Sequence, residues 1–225
     1  MRFTLAHPSS VKNFFCTDHC KNTFAIGRYP RYSLLEMVCF KIRVFYFYAM
    51  VLDFIRCTRN HLPLLSKVAR HTFSHAFESQ NEAEDFQNYL NHAFTVQQMA
   101  KEMATVGTVF FLVYRNDTLC GYFKVNSNAA QTDIKRADSM ELERIYVMAS
   151  VQGQGIGTKI IAHVMGMAQA DKKRFLWLGV WERNKEAIKL YQRLGFRKFG
   201  THPYYIGNDK QTDWLMRKEI HTLEA

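Results

Sequence analysis

The sequence predicts a mixed α/β domain of about seven strands and about four helices, and three observations carry that reading. A strand-like run at residues 141–147, with Ile145, Tyr146 and Val147, leads through a glycine-rich turn into an apolar set at helical spacing: Ile156, Ile160, Ile161, Val164, Met167 and Ala168. That spacing leaves one buried stripe on a helix. Two pairs of β-rich runs flank the turn signals Asn116-Asp117 and Gly207-Asn208-Asp209, the pattern of hairpins. A second strand–helix pair, residues 175–181 and 184–194, follows the first.

In chain order, residues 51–57 read as a strand. Asn60 or His61 opens a helix with Pro63 in its first turn, where a missing N–H does no harm. That helix runs past His71 and His75, which share a face at i,i+4 and could bind metal, but no third ligand accompanies them. Asn81-x-x-Glu84 reads as the cap of one long helix carrying Phe86, Tyr89, Leu90, Phe94, Met99 and Met103. Residues 109–115 and 119–125 form the first hairpin, and the polar, irregular residues 126–138 read as a mobile loop. Residues 175–181 look like a buried strand. The helix at residues 184–194 ends at Gly195, a glycine suited to the position past a helix C-terminus. Residues 196–206 and 211–220 close the sheet.

The turn holds the chemistry. Gly153, Gly155 and Gly157 let the backbone bend where a Cβ would clash and let an anion approach main-chain N–H groups. The first turn of a helix leaves those groups unpartnered and carries positive partial charge. Strand, turn and helix N-terminus therefore make a phosphate cradle. A Walker A loop is excluded, because neither Lys-Ser nor Lys-Thr follows the last glycine. A dinucleotide fold wants an acid nearer than Glu182 and a repeated βαβ half. A purely structural turn is the remaining alternative. Three close glycines make a destabilising one, each adding about 0.5–1 kcal/mol of unfolded-state entropy relative to alanine.

The downstream sequence bears on that choice. Gln152-x-x-Gly155-x-Gly157, followed by Asn184-x-x-Ala187-x-x-Leu190-Tyr191-x-x-Leu194-Gly195-Phe196, resembles the GCN5-related N-acetyltransferase (GNAT) family. Both parts match the family's acyl-CoA motifs in order and spacing, and the likeness covers residues 51–220. Residues 199–216 look like a bacterial subgroup that includes polyamine (spermidine/spermine) acetyltransferases. The resemblance implies the GNAT fold, with a central mixed, mostly antiparallel sheet, acetyl-CoA as co-substrate and no metal.

Acyl transfer to an amine needs the amine neutral, and holding a lysine-like nitrogen neutral at pH 7 costs about 4.6 kcal/mol. A base recovers part of that. Glu141 and Glu143 lie on the strand that meets the thioester in the resembled fold, and being two apart they share a face. Glu141 fits the family's spacing from Gln152 better. Either could instead be an ordinary strand acid or a partner of Arg144. Tyr191 matches the family's general acid, the alternative being a core tyrosine on an amphipathic helix. Asn184 matches the residue that hydrogen-bonds the cofactor arm while capping its helix. By the same resemblance, Ile145, Tyr146 and Val147 pair their backbones with pantetheine. Gly153, Gln154, Gly155, Ile156, Gly157 and Thr158, headed by Gln152, take the pyrophosphate on main-chain N–H groups. No covalent intermediate is needed, so Cys57 and Cys120 read as structural. Glu78, Glu82, Glu84 and Asp85 either sit in solvent at a helix start or border the acceptor pocket and receive a polycation.

The chain has 225 residues, 48% of them hydrophobic, enough for one domain with a sizeable core plus an appendage. Five cysteines without regular spacing give no disulfide framework and suggest a reducing cytoplasm. A formal net charge of +10 suits phosphate-bearing partners, but no nucleic-acid-binding motif accompanies it. Residues 1–49 are atypical: 11 aromatics, three of the five cysteines and a net charge of +5. Glu36, Lys41 and Arg43 interrupt the apolar residues 34–52, each costing about 2.5–3.5 kcal/mol at mid-membrane, and no signal-peptide pattern is present. Cys16-x-x-His19-Cys20 fits no standard zinc spacing. Residues 1–49 therefore read as an extension from an upstream start, with residues 50–225 as the acetyltransferase domain beginning at Met50. An aromatic-rich arm packing on the domain or a membrane surface is the alternative. The expected activity is direct acetyl transfer from acetyl-CoA to a small primary amine such as a polyamine. Protein N-terminal or lysine acetylation, and a CoA-sensing regulator without turnover, stand as alternatives. No nucleic-acid or membrane partner is expected, and edge strands near the C-terminus would suit a homodimer.

Overall fold

Asn116 and Asp117 adopt φ values of 47° and 63°, the left-handed pair that a two-residue hairpin requires, and they fold the chain back on itself between two neighbouring strands of the sheet. The computed structural model describes residues 51–206 and 209–220. The extension at residues 1–49, with its cysteine–histidine run and most of the apolar segment, lies outside the described residues, as does the turn at Gly207-Asn208. Seven strands are formed: β1 (Asp53–Arg56), β2 (Thr108–Arg115), β3 (Thr118–Ser127), β4 (Ser139–Val147), β5 (Phe175–Trp181), β6 (Arg197–Ile206) and β7 (Asp209–Glu219). Their order across the sheet is β1-β2-β3-β4-β5-β7-β6. Every neighbouring pair is antiparallel except β4–β5. The edge strands suit their places, since β1 is short and β6 carries Pro203, which an edge tolerates.

Five α-helices stand against this sheet among the described residues: α1 (Leu62–Phe77), α2 (Ala83–Ala93), α3 (Val96–Ala104), α4 (Ile156–Ala170) and α5 (Lys185–Arg193). The extra one corrects the sequence reading. The single long helix expected after Asn81 divides into α2 and α3, because the Thr95 hydroxyl accepts from Gln98 N–H (3.1 Å) and starts a new helix. The α2 cap is also one residue later than expected, with the Glu82 carboxylate accepting from Asp85 N–H.

Two apolar cores lie on opposite faces. On one face α4 and α5 bury Ile160, Val164, Ile188 and Tyr191 against Phe123, Leu178 and Val180. On the other, α1–α3 bury Leu65, Phe73, Phe86 and Met99 against Phe110, Leu112 and Tyr122. Phe123 and Tyr122 are neighbours in β3, so the period of two delivers one side chain to each core. Gly121 lets β3 approach β4, since a Cβ there would collide with the Tyr146 carbonyl oxygen.

Two irregularities shape the centre. The β3–β4 register steps from Lys124↔Arg144 to Val125↔Leu142, leaving Glu143 as an extra, bulged residue. The parallel β4–β5 pairing extends only over Ser139↔Phe175, Met140↔Leu176 and Glu141↔Trp177. Beyond it the two strands part. The loop before β4, expected to be mobile, is instead fastened at this vertex. Gln131 is buried, and its Oε1 accepts from Ser139 Oγ (2.8 Å) and Trp177 Nε1 (2.7 Å). No helix among the described residues is long and apolar enough to cross a membrane.

Candidate functional site

Gly153 and Gly155 have φ of 73° and 77°, and this left-handed pair turns the end of β4 into α4. No side chain caps α4, so the first-turn N–H groups of Ile156, Gly157 and Thr158 face outward from an exposed turn. A Cβ built on Gly153 or Gly155 meets no atom within 4 Å, while at Gly157 it would make ordinary contact with Leu190. The first two glycines therefore serve backbone conformation, and the space beside them is unfilled by protein. The site fits a diphosphate.

The side chains of the turn have further partners. Gln152 Nε2 donates to the Val147 carbonyl (2.9 Å), tying the turn back to β4. Gln154 Oε1 accepts from Arg115 Nη1 (2.6 Å), a residue at the end of β2. The Val147 carbonyl thus accepts one hydrogen bond and keeps a second lone pair. Ile145 packs towards the α4 core, and Tyr146 stacks on Tyr122 in the other core, with centroids 5.5 Å apart.

The parting of β4 from β5 opens a cavity of about 340 Å³. Tyr191, Asn184 and Ala187 line one side, and Ile145 and Tyr146 lie on the β4 wall. Asn184 caps α5 by accepting from Ala187 N–H (3.2 Å). Burial alone pushes the Tyr191 hydroxyl up to about 12, so it keeps its proton at neutral pH.

Glu141 and Glu143 both line this cavity and share a donor, Asn126 Nδ2, at 3.0 and 2.5 Å. The common face read from their spacing is therefore present, but their surroundings differ. Glu141 is 2% exposed and accepts from Thr132 N–H (2.9 Å) and Thr132 Oγ1 (2.6 Å). Burial raises its carboxyl above the ordinary value despite those hydrogen bonds, and no cation among the described residues pairs with it. Glu143 belongs to a buried ion network, 2.5 Å from Lys124 and 3.3 Å from Arg144. Glu102 of α3 completes the network, 2.8 Å from Lys124 and 3.0 Å from Arg144. The alternative of an Arg144 neighbour thus holds for Glu143 and not for Glu141.

The sequence reading missed the far wall. His202 and Tyr204 of β6, Asp213 of β7 and Asp133 of the fastened loop line the same cavity. His202 Nδ1 lies 2.8 Å from Asp133 Oδ1, and the Tyr204 hydroxyl donates to that of Tyr89 (2.5 Å). Asp213 sits opposite Trp181 and His202 in the strand registers. Of the two readings of Glu78, Glu82, Glu84 and Asp85, the one that has them border the pocket is not met, since none of them is among the residues that line it. No group of three or more candidate metal ligands occurs among the described residues, His71 and His75 included.

Comparison with known proteins agrees with this geometry. The Acetyltransferase (GNAT) family profile matches residues 68–196. An uncharacterized N-acetyltransferase in the pepI 3′ region of Lactobacillus delbrueckii subsp. lactis is 30% identical over 166 residues, covering 74% of this chain and 96% of that protein. The spermine/spermidine N(1)-acetyltransferase of Bacillus subtilis (strain 168) is 37% identical over 57 residues, 25% of this chain and 38% of that protein. Among solved structures, the PaiA N-acetyltransferase of Thermoplasma acidophilum in complex with coenzyme A has the same fold, with a TM-score of 0.61 at 17% identity. It spans 76% of this chain and 99% of its own. A parted β4–β5 pair beside an uncapped glycine turn, and a profile and a near full-length relative that agree, place this chain in the GNAT family of acetyltransferases.

Proposed function

We propose that the protein transfers an acetyl group from acetyl-CoA to a primary amine of a small polycation, a polyamine being the best fit. The observation that carries the acceptor reading is the wall of the 340 Å³ cavity, where Glu141, Asp133 and Asp213 stand among Tyr89, Trp177, Trp181 and Tyr204. Carboxylates and aromatic faces both favour an alkylammonium group. The partial likeness to a spermine/spermidine acetyltransferase supports the same class. The donor reading rests on family membership and on the glycine turn, whose outward N–H groups suit a diphosphate.

In this reading Glu141 is the base. Its carboxyl has no cation to hold it ionised and stands higher than an ordinary glutamate, which brings it closer to the range a base needs near neutral pH. It takes a proton from the bound ammonium through water, while Thr132 and Asn126 fix its orientation. Glu143 is a positioning residue, its charge already balanced by Lys124 and Arg144. Acetyl-CoA supplies an activated thioester. Tyr191 then stabilises the departing sulfur by donating a hydrogen bond. Complete proton transfer from a phenol near 12 to a thiolate of pKa about 8.5 would run uphill by about 5 kcal/mol, so the hydrogen bond is the larger part of its role. Asn184 offers its amide to the cofactor arm from the cap of α5.

The test is thiol release from acetyl-CoA with a panel of spermine, spermidine, shorter diamines, lysine peptides and peptide N-termini. Turnover with polyamines is expected. Turnover confined to peptides would replace the acceptor reading with protein acetylation, and none with any amine would leave a CoA sensor.

A further inference from the structure

We infer that Arg115 is a phosphate-binding residue, held by the β2–β3 hairpin against the glycine turn so that its guanidinium meets the diphosphate of the CoA arm. This rests on the acetyl-CoA donor and is independent of which amine accepts the acetyl group. Arg115 is the last residue of β2, paired across the hairpin with Thr118. The left-handed Asn116 and Asp117 that follow make the turn as short as a hairpin allows, so the end of β2 has little freedom to wander. From there Arg115 Nη1 reaches across 39 positions of sequence to Gln154 Oε1 at 2.6 Å. Gln154 lies between the two left-handed glycines, in the middle of the exposed turn.

Charge makes the contact informative. The turn already presents uncapped helix N–H groups, which carry positive partial charge. A guanidinium placed beside them adds repulsion, and no carboxylate among the described residues forms an ion pair with Arg115. Such a concentration of positive charge suits an anion, and arginine's planar fork of five donors suits a phosphate in particular. One donor is spent on Gln154, which aims the group, and the rest remain. Because the anchor is Gln154, inside the turn whose amides suit the diphosphate, the diphosphate is the assigned partner in preference to the 3′-phosphate of CoA.

Calorimetric titration of the full chain and of Arg115→Gln and Arg115→Lys with CoA and with 3′-dephospho-CoA tests this, at low and moderate salt. The neutral Gln variant should bind both ligands about tenfold more weakly, in the range of one charged hydrogen bond, and should show a shallower salt dependence. The Lys variant should recover part of the loss, since it keeps the charge without the fork. A loss seen with CoA and absent with 3′-dephospho-CoA would overturn the diphosphate assignment, and unchanged affinity for both would overturn the inference altogether. Failure of the unaltered chain to bind CoA would remove the donor reading along with it. Failure of the amine panel would leave the Arg115 result standing.

Discussion

Burial pushes the carboxyl of Asp213 up to about 6, with His202 drawing it down and Asp133 and Glu182 driving it up. Its folded value thus lies above the ordinary 3.8. The associated stability is complete below that ordinary value and is lost as pH rises through about 6. Asp213→Asn should therefore gain thermal stability over the unaltered protein at pH 8 and match it near pH 4. A cationic acceptor beside this carboxylate would also be missed: the same variant should raise the acceptor KM about tenfold, equivalent to 1.4 kcal/mol, with a smaller change in kcat. Tyr191→Phe should behave in the opposite way, lowering kcat about 100-fold while calorimetry finds CoA affinity within about twofold of the original. Of these residues, the place of Tyr191 on its helix was legible because the run around it is local and of fixed spacing. Asp213 was not, because His202, Asp133 and Trp181 reach it from a neighbouring strand, a distant loop and the end of β5, and nothing local encodes that meeting.

The turn between β4 and α4 distinguishes its glycines. At Gly155, φ is 77°, so Gly155→Ala should cost about 1–2 kcal/mol from backbone strain alone. Gly157 stands in the first turn of α4 with room for a methyl group against Leu190, and Gly157→Ala should be neutral or stabilising by up to about 1 kcal/mol. Urea unfolding of both variants separates them, and equal effects would mean that conformation is not what the glycines supply. The spacing of these residues was readable, but the division of labour was not, because it depends on φ and on α5 lying behind the turn. The helix at residues 83–104 misled for a related reason. Its apolar periodicity continues past Phe94, so pattern alone joins α2 to α3, and only the Thr95 cap with its hydrogen bond divides them. The hairpins and the β4–α4–β5 crossover were legible because turn residues and periodicity agree there.

Across the whole molecule, the helices α1–α3 and the sheet are joined by charge as well as by apolar packing. Glu102 of α3 meets Lys124 and Arg144, and Glu143 meets the same two, with Lys124 only 7% exposed at its side chain. Burial pushes the Glu102 carboxyl up, but Arg144 and Lys124 together bring it below its ordinary 4.5. Its contribution is present above that value and lost as pH falls through the lowered one. Removing one partner leaves an uncompensated buried charge, so Lys124→Met should destabilise by about 3 kcal/mol in urea titration. Adding Glu102→Gln to that variant should return part of the loss. The aromatic and apolar positions of the two cores were legible as periodicities. This network was not, since α3 lies far from β3 and β4 in sequence and only the closed fold sets them together.

The amide oxygen of Gln131 accepts from both Ser139 and Trp177, the first residue of β4 and the last residue of β5 that pairs with β4 before the strands separate. One side chain thus pins the hinge of the fork, and the same loop continues into Thr132 and Asp133, which touch Glu141 and His202. Changes in this short segment can alter how wide the mouth stands and how Glu141 is aimed without altering any residue of the glycine turn. Divergence of acceptor preference among relatives should therefore concentrate there while the nucleotide-gripping end of the protein stays fixed.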